Sequence, residues 1–275
     1  MTGARPVVRG ARESTRVVKV GGRAQSDPAL PGALAAAWAA APGSLVVVHG
    51  GGDEVSALQQ AFGVMPSFVG GRRVTTVQDI ELLRMALSGS ANKRLVSALV
   101  SRGVSAVGLS GEDGALLTAT PLDPAQLGCV GDPRRVNVAL LRYLLDGGYL
   151  PVVSPLSRSE SAAGAGAASV AFNVNGDDAA AIIAAALEAD ELLLVADVTG
   201  VLVDGNTVSE LAPVDAGRLI DSGVANGGMA AKLEAALAAV ASGVVSVRIG
   251  DVAAIHDPTR GTVVSREAAL SRSVA

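Results

Sequence analysis

The chain has 275 residues, of which 49% are hydrophobic and 2% aromatic, with a formal net charge of -4 and a pI near 5.3. The acidic balance argues against a general nucleic-acid binder, and no apolar run reaches membrane-spanning length without a charge, glycine or proline. Cys129 is the only cysteine, which excludes an internal disulfide framework and favours a reducing, cytoplasmic setting.

The chain begins with an arginine-rich segment and a valine-rich strand. Residues 1–16 lack an apolar core, so they are predicted to form a flexible tail rather than a secretory signal. Residues 17–20 form a predicted strand that contains Lys19 and ends at Gly21 and Gly22. A lysine is costly to bury without a partner, and the alternative is an exposed lysine on an edge strand. The two glycines favour a functional site, because they leave the backbone open to a ligand.

A βαβ unit is predicted next. The abundance of alanine and valine is typical of an α/β protein, with a helix at 28–41 and a buried strand at 45–48. Gly50, Gly51 and Gly52 then lead into a patterned helix, so a polyanion could approach bare N–H groups at its positive end. The alternative is a tight turn without a ligand. If the turn is functional, a bulky residue at Gly51 should damage turnover far more than folding.

Two arginines mark a predicted hairpin at 67–75. Because neighbouring strand residues face opposite sides, only one of Arg72 and Arg73 should enter a cleft, where it could clamp a carboxylate in a bidentate way. The alternative is a solvated basic turn. One long helix is predicted at 77–101, and Gly89 within it would allow close packing, so its apolar stripe is a candidate subunit interface. The stripe consists of Ile80, Leu83, Leu87, Ala91, Leu95 and Leu99.

The middle of the chain has weaker signals. The pattern predicts a strand at 104–109, short strands within 116–130 and a helix at 135–146 that ends at a glycine pair. A core strand follows at 150–153. Residues 157–168 are rich in Gly, Ala and Ser and are predicted to form a mobile loop.

A cluster of polar side chains opens the last third of the chain. Asn173, Asn175, Asp177 and Asp178 lie within six positions before a predicted helix, which is more than helix capping needs, and they indicate a site. A buried strand at 192–195 then leads into an acid-then-glycine turn, at the position where α/β proteins bind ligands.

Lys232 lies in the predicted first turn of a helix that opens at 227. The helix dipole disfavours a cation at that position unless an anion is bound, and the alternative is a lysine paired with a nearby acid. The last strands are predicted at 244–249 and 262–264.

The sequence lacks several well-known catalytic and nucleotide-binding motifs. There is no Gly-x-Ser-x-Gly turn, Walker loop, dinucleotide fingerprint or protein-kinase catalytic loop in the sequence. His49 and His256 are too few for a histidine metal site. We interpret His49 as a packed or hydrogen-bonded residue rather than a catalytic base.

Taken together, eight stretches resemble the amino acid kinase family, and within it the enzymes that phosphorylate N-acetyl-L-glutamate. The ordered set covers about 17–262 and is specific, although each stretch alone is weak. The stretches are KVGG at 19–22, HGGG at 49–52, GRRVT at 71–75, ANK at 91–93, GLSGEDG at 108–114, NVNGD at 173–177, DVTGVL at 197–202 and GMAAK at 228–232.

The resemblance implies an α/β fold, an open αβα sandwich with a central, mainly parallel sheet and two lobes. Residues 17–172 would bind the acyl amino acid and mediate dimerisation, and residues 173–275 would bind ATP. The implied reaction moves the ATP γ-phosphoryl group to the side-chain carboxylate of an N-acylglutamate, as in arginine biosynthesis. Magnesium would accompany ATP, and no metal ligands in the chain itself are implied.

The resemblance also implies roles for single residues. Lys19 and Lys232 would neutralise charge on the phosphoryl group in transit, and Asp177 would hold both lysines. The remaining roles belong to backbone and binding positions. Gly21, Gly22 and Gly50 would bind phosphate; Gly51, Gly52, Arg73 and Asn173 would bind the acylglutamate; Asp197, Val198, Thr199, Gly200, Val201, Leu202, Val224, Ala225 and Asn226 would line the nucleotide site.

Two departures from the family pattern leave alternatives open. Arg72 replaces the usual leucine, as in relatives that act on other acyl groups, so an N-succinylglutamate or a carrier-linked aminoadipate or glutamate is an alternative substrate. A catalytically silent sensor of nucleotide and amino acid is the non-enzymatic alternative. The N-terminal extension looks too short for the helix that links arginine-inhibited hexamers, which predicts a homodimer without arginine feedback.

Overall fold

A central eight-stranded sheet organises the chain in a computed structural model that describes residues 14–160 and 171–268. The predicted tail and mobile loop fall largely outside these ranges. The strands are β1 (Arg16–Val20), β2 (Leu45–His49), β3 (Phe68–Val69), β4 (Arg72–Arg73), β5 (Ala106–Ser110), β6 (Leu117–Pro121), β7 (Val130–Val136), β8 (Leu150–Ser154), β9 (Leu156–Ser159), β10 (Ala171–Val174), β11 (Glu191–Val195), β12 (Leu202–Val203), β13 (Asn206–Thr207), β14 (Glu210–Leu211), β15 (Ser246–Gly250) and β16 (Thr262–Val264).

Helices cover the sheet and connect its strands. They are α1 (Leu30–Ala40), α2 (Gly52–Ala61), α3 (Val77–Leu83), α4 (Asn92–Val100), α5 (Pro124–Leu127), α6 (Val138–Asp146), α7 (Gly176–Ala186), α8 (Pro213–Asp221) and α9 (Gly227–Ala241), with a π-helical segment (Arg84–Ala91) between α3 and α4 and short 3-10 turns at Gly22–Ser26, Asp113–Ala115 and Val252–Ile255. None of the helices in the described ranges is long and apolar enough to cross a bilayer.

The strand order of the sheet is β14-β16-β15-β11-β1-β2-β8-β5. All the neighbouring pairs are parallel except β15 and β16, so the predicted mainly parallel α/β sheet is confirmed. Strand β1 lies between β2 and β11, with Lys19 opposite Val48 and Leu194. The sheet is therefore continuous across the boundary predicted between residues 172 and 173, and the division into two lobes stays a prediction.

A small closed barrel of β10, β7, β6 and β9 stands beside the sheet. Its strands β7 and β10 pair in parallel, which places Asn173 opposite Val130. The predicted helix at 135–146 begins only at Val138, because residues 130–136 belong to the barrel strand β7. The barrel also takes Leu156–Ser159, so the segment predicted as a loop begins as a strand.

The long helix predicted at 77–101 is interrupted. Residues Arg84–Ala91 form a π-helical segment, and Gly89 within it leaves room for a methyl group, so close packing does not explain the glycine. In the predicted apolar stripe, Leu83, Leu87 and Leu99 are buried in the chain's own core. The interpretation of this stripe as a subunit interface is therefore wrong. Outward-facing apolar residues of the same segment are Val77, Met85 and Val100.

Gly131 in the barrel is expected to tolerate no side chain. A Cβ there would lie 2.6 Å from the Phe172 Cβ and 2.8 Å from the Ala119 Cβ. We predict that Gly131→Ala lowers the free energy of unfolding by about 1–3 kcal/mol through overpacking. The control is Gly32→Ala, where nothing lies within 4 Å and alanine favours the helix. Urea unfolding of both variants checks this, and equal stability of the two would contradict it.

Candidate active site

Two lysines share one buried carboxylate where β1 meets the start of α7. The Lys19 Nζ lies 2.7 Å from Asp177 Oδ1, and the Lys232 Nζ lies 3.4 Å from Asp177 Oδ2. The side chains of Lys19 and Asp177 are each 8% exposed and that of Lys232 15%. The three residues that the resemblance links with catalysis are thus brought together, although they are far apart in sequence.

Charge compensation keeps the carboxylate of this cluster ionised. Burial raises the pKa of the Asp177 carboxyl, but Lys19 and Lys232 together outweigh burial and hold that pKa below its ordinary value. Burial, and then repulsion from Lys19, lowers the pKa of Lys232, against the attraction of Asp177 and Asp197. The cluster of two ammonium groups and one carboxylate carries one positive charge that Asp177 does not neutralise, which suits an anionic ligand.

Lys232 is the sixth residue of α9, so it lies in the second turn of the helix and not in the first as the sequence predicted. At that position the dipole at the start of the helix has little effect on the lysine. Asp177 provides the partner that the alternative interpretation required, but Asp177 also binds Lys19. The lysine is thus both paired and part of a charged cluster.

The glycines next to Lys19 leave it room. A Cβ at Gly21 would lie 2.2 Å from the Lys19 Nζ, and one at Gly176 would lie 3.1 Å from the Lys19 Cε. The Gly50 N–H donates to the Val20 carbonyl at 2.9 Å, which fixes the turn after β2 against the end of β1. Gly22, which has a φ of 55°, and Gly50 thus follow adjacent strands at one edge of the sheet, as predicted.

Gly51 precedes the first residue of α2 and has a φ of 149°, which side chains rarely adopt. A Cβ at this position would also lie 2.7 Å from the Leu87 Cδ2. A bulky substitution would therefore strain the fold itself. Such a residue would therefore affect folding as well, and its larger effect on turnover stays a prediction.

A cavity of about 180 Å³ opens beside the glycine turn. It brings together four predicted substrate residues and adds apolar walls that the sequence did not identify. Its lining consists of Gly50, Gly51, Gly52, Val55, Phe68, Gly71, Arg72, Arg73, Leu83, Leu87, Val130, Pro155, Asn173, Val174, Asn175 and Gly176. A small anionic molecule with an apolar part fits this combination of guanidinium, amide and aliphatic groups.

Arg73 is buried and already has several protein partners. Its Nη2 donates to the Gly52 carbonyl and to the Ser56 hydroxyl, both at 2.8 Å, and its Nη1 donates to Gln59. The guanidinium also lies 4.8 Å from the centroid of the Phe68 ring. Because both bidentate edges of a guanidinium include Nη2, a substrate carboxylate must replace a protein contact to be clamped by two N–H groups.

Arg72 lines the same cavity as Arg73. Its Nη1 donates to Asp178 Oδ2 at 2.8 Å. The prediction that only one arginine of the pair could enter the cleft is therefore wrong. The strands β3 and β4 are only two residues long, and the hairpin contributes Phe68, Gly71, Arg72 and Arg73 to the cavity lining.

The four polar residues at the start of α7 each have a different role. Asn175 is the helix cap, and its Oδ1 accepts from the Asp177 N–H at 2.7 Å. Asp177 binds the lysines, and Asp178 binds Arg72. The Asn173 Nδ2 donates to the Thr75 hydroxyl at 3.0 Å and the residue lines the cavity. The prediction that this cluster exceeds the needs of a cap is consistent with these contacts.

The predicted nucleotide residues form two stretches, one after β11 and one before α9. Residues 197–202 follow β11, and residues 224–226 precede α9. Leu202 and Val224 are about half exposed, whereas the Val201 N–H donates to the buried Thr262 hydroxyl at 2.8 Å. Asp197 acts on Lys232, so the first stretch reaches the charged cluster.

His49 is a packing residue. Its Nδ1 lies 2.7 Å from the Gly50 carbonyl and its Nε2 lies 3.0 Å from the Asn92 Nδ2. Burial lowers the pKa of His49 to about 4, so the ring is neutral at physiological pH. This confirms the sequence-based interpretation of a hydrogen-bonded residue. Asn92 is fully buried and also donates to the Val152 carbonyl at 2.9 Å.

Sequence reasoning missed the residues that hold Arg73. The Gln59 side chain accepts from Arg73 and donates to Asp79 Oδ1 at 2.7 Å. Asp79 in turn forms a capping box with Thr76 at the start of α3. A buried glutamine on the apolar face of α2 was the only available signal, since helical periodicity places Gln59 next to Val55.

No metal ligand set occurs in the described ranges, where no three His, Cys, Asp or Glu side chains come together. Asp177 is occupied by two lysines. A magnesium ion would therefore have to be held mainly by the phosphates of a bound nucleotide, as is usual for Mg²⁺.

Comparison with known proteins identifies the group to which this chain is similar. The sequence model of the amino acid kinase family matches residues 14–251. The acetylglutamate kinase of Chloroflexus aurantiacus is 44% identical over 243 residues, which cover 88% of this chain and 93% of the relative. The acetylglutamate kinase of Methanopyrus kandleri is 43% identical over 229 residues, or 80% and 90% of the two chains.

Solved structures agree with the fold. The protein smu.665 from Streptococcus mutans has a TM-score of 0.80 at 30% identity and covers 92% of this chain and 98% of its own. A carbamate kinase from Giardia lamblia bound to AMP-PNP has a TM-score of 0.69 at 16% identity, with 92% and 98% covered. The similarity to the carbamate kinase, at 16% identity, shows only that the two chains share a fold.

Asp177 should contribute to stability in a pH-dependent way. Asp177→Asn leaves two buried ammonium groups without their carboxylate and should lower the free energy of unfolding by about 3–5 kcal/mol at pH 7. Because the folded pKa of Asp177 lies below its ordinary 3.8, this loss is complete above that value and shrinks as the pH falls through the folded pKa. Urea unfolding at pH 7 and pH 3 measures it.

The matched control is Asp132→Asn, which breaks a surface pair with Arg134 at 2.8 Å. This control should cost less than about 1 kcal/mol at either pH. A loss for Asp177→Asn no larger than that of the control, or one independent of pH, would contradict the assignment.

Proposed function

The chain belongs to the amino acid kinase family, and we propose that it transfers the γ-phosphoryl group of ATP to the side-chain carboxylate of N-acetyl-L-glutamate, a step of arginine biosynthesis. The observation that carries the proposal is the pair of buried lysines on Asp177. Lys19 lies next to Gly176 of the cavity wall, and Lys232 interacts with the charge of Asp197. Relatives named acetylglutamate kinase at 42–44% identity over most of the chain support it.

The acylglutamate occupies the cavity beside the glycine turn. Its reacting carboxylate lies towards the backbone of Gly51 and Gly52, where no side chain obstructs it, and the acyl methyl group packs on aliphatic side chains such as Leu83 and Leu87. Arg73 and Asn173 bind the remaining carboxylate and the amide. Arg73 does so with Nη1 or Nε, or by exchanging its contact with Ser56.

The reaction needs charge neutralisation more than proton transfer. A carboxylate oxygen forms a bond to the γ-phosphorus while the bond from that phosphorus to the bridging oxygen of ADP breaks, and ADP leaves with the electron pair. A carboxylate is already ionised at neutral pH, so no general base is required. His49 is consistent with this, because both its ring nitrogens are engaged and its pKa is about 4.

Lys19 and Lys232 supply that neutralisation. Two anions must approach each other, and the ammonium groups of the lysines offset their repulsion and the charge on the transferred group. Asp177 fixes both side chains in advance, so they need no reorganisation when the substrates bind. Gly21 and Gly22 offer backbone N–H groups to the phosphates, because neither residue has a side chain. The Gly50 N–H already donates to the Val20 carbonyl at 2.9 Å, so Gly50 contributes by leaving space beside the phosphates rather than by donating to them.

ATP lies on the other side of the lysines. We assign residues 197–202 and 224–226 to the nucleotide, because they extend from the end of β11 and the start of α9 towards Lys232. The N-terminal end of α9 has Gly227 and Gly228, which leave its free N–H groups accessible to phosphate. Magnesium would be held mainly by the phosphates of the bound nucleotide, where it would neutralise part of their charge.

The alternatives differ in substrate or in class. A carrier-linked aminoadipate or glutamate would bring an acidic carrier protein, and the charged residues around the cavity include both Arg72 and Asp178 rather than a uniformly basic rim. A silent sensor would not need two buried lysines on one carboxylate. Both observations favour the kinase of a free acylglutamate.

We also propose that the protein is a cytoplasmic homodimer without arginine feedback. The single cysteine and an ATP-dependent biosynthetic reaction fit a reducing compartment. The exposed Val77 and Met85 on the outer face of the α3 and π-helical segment form a candidate contact between two copies, in place of the buried stripe.

Removing Lys232 should stop phosphoryl transfer without unfolding the protein. We expect Lys232→Ala to lower kcat by about 10²–10³-fold, because one preorganised charge is lost from the transition state. Lys93→Ala is the control, since that lysine is exposed and bonds the Gly108 carbonyl at 3.1 Å, away from the cluster. ATP consumption with N-acetyl-, N-succinyl- and free glutamate measures both. Absence of turnover by the wild type with every acyl substrate would refute the proposed function.

The oligomeric state is tested by sedimentation velocity. We expect a dimer, and Met85→Asp should shift it towards monomer because a charge enters an apolar contact. Tyr143→Asp, at a residue 77% exposed on α6, is the control and should leave the dimer intact. A hexamer whose activity falls on addition of arginine would contradict the proposal.

A further inference from the structure

One ion pair beside the cavity has no part in the phosphoryl transfer described above. Arg72 extends from the β3–β4 hairpin, lines the cavity and donates from Nη1 to Asp178 Oδ2 at 2.8 Å. Asp178 is the third residue of α7 and follows Asp177 directly. The pair thus connects the β3–β4 hairpin to α7, the helix whose Asp177 pairs with both lysines.

Arg72 and Asp178 stabilise each other's charged state in a partly buried position. Burial raises the pKa of the Asp178 carboxyl, Asp177 and Asp132 act in the same direction, and Arg72 opposes them. The side chains of Arg72 and Asp178 are 30% and 29% exposed, so water screens them less than it screens a surface pair. Removing either partner would therefore leave a charge whose field extends into the cavity.

The Arg72 guanidinium makes fewer contacts with the protein than the Arg73 guanidinium does. Arg73 has three protein acceptors and a stacked ring. Within the described ranges, Arg72 donates to Asp178 alone. Of the two guanidinium groups in the cavity wall, Arg72 is the one that can turn to a new anion with the smaller loss of protein contacts.

We propose that the Arg72–Asp178 pair sets the charge preference for the acyl group of the substrate. While Asp178 neutralises Arg72, the pocket favours an uncharged acyl group such as acetyl. Without the Asp178 carboxylate, Arg72 becomes a receptor for an acyl group that ends in a carboxylate. Arg72 is the specificity residue and Asp178 acts through it as a positioning residue. The inference rests on the proposed function, because it names what distinguishes the substrates of that site.

Two substrates isolate the effect. N-acetyl-L-glutamate and N-succinyl-L-glutamate have the same reacting carboxylate and differ in the acyl group, which in the succinyl compound ends in a second carboxylate. The ratio of their kcat/KM values therefore cancels any change in the common chemistry. A purely structural loosening of the hairpin would lower both values and leave their ratio nearly unchanged.

The two halves of the pair should shift this ratio in opposite directions. For Asp178→Asn we expect the succinyl-to-acetyl ratio to rise about tenfold or more, mainly through the KM for the succinyl substrate, because an unpaired guanidinium binds the extra carboxylate. For Arg72→Met we expect the ratio to fall several-fold, because Asp178 then repels that carboxylate without a counter-ion. The double variant Arg72→Met/Asp178→Asn should lose the gain of Asp178→Asn.

Two controls accompany these variants. Asp178→Glu keeps a carboxylate and should return the ratio towards the wild-type value. Asp251→Asn breaks a pair of the same kind, with Arg260 at 2.7 Å, outside the cavity and should leave the ratio unchanged. Asparagine can also keep the helix-capping bond of Asp251 to the Ala254 N–H.

The outcomes separate the inference from the function on which it rests. If the wild type phosphorylates N-acetylglutamate and the ratio stays within about twofold in both Asp178→Asn and Arg72→Met, or moves in the same direction in both, the inference is wrong. If the wild type phosphorylates neither substrate, the proposed function fails first. Circular dichroism reports folding, and if Asp178→Asn does not fold, the direction of the shift in Arg72→Met decides.

Discussion

Two buried ammonium groups on a single carboxylate are the constraint on which the site depends. Lysines that lose water tend to lose their protons, and the lowered pKa of Lys232 shows this tendency. Asp177 opposes the lowering of the Lys232 pKa and also forms an ion pair with Lys19, at 3.4 and 2.7 Å. One carboxylate carries a single negative charge, so Asp177 by itself leaves one of the two ammonium groups unbalanced beside Gly21 and Gly176. An anion such as a phosphoryl group completes the balance, and the cluster is arranged before that anion arrives.

The parallel sheet makes this arrangement possible. Strand β1 pairs with β2 on one side and with β11 on the other, so the turn at Gly50, the lysine in β1 and the stretch after β11 all reach one edge. Asp177 and Lys232 then come from helices α7 and α9, which pack on each other. Residues separated by more than 200 positions therefore meet without a long loop between them. The acyl pocket is completed by the barrel, which supplies Asn173 and Val130.

Local sequence patterns predicted much of this fold, because the strands and helix caps are determined by residues close to them in the sequence. Valine runs gave β1 and β2, glycine turns marked their ends, and the amide of Asn175 capped α7 as its position indicates. The interruption at Arg84–Ala91 was not predictable from periodicity, because a π-helical segment preserves the apolar stripe. The start of α6 was placed too early because residues 130–136 pair with β6 and β10, a tertiary contact that overrides helix propensity. The two lysines proposed for catalysis were identified through motif order. Gln59, which accepts from Arg73, and Asp79, which accepts from Gln59, have only weak local signals: a glutamine on the apolar face of α2 and a capping box with Thr76.

Gly51 and Arg72 show how differently two residues of one pocket are constrained. Gly51 has a positive φ and lies close to the Leu87 side chain. Any side chain introduced at Gly51 would therefore alter the packing of the fold as well as the cavity. Arg72 projects from a two-stranded hairpin, and its hydrogen bond to Asp178 is the contact that ties it to the body of the protein. Substitutions at Arg72 therefore change the charge facing the substrate with little effect on the core. Selectivity for the acyl group can vary at this position while the lysines, the carboxylate between them and the glycine turn stay fixed.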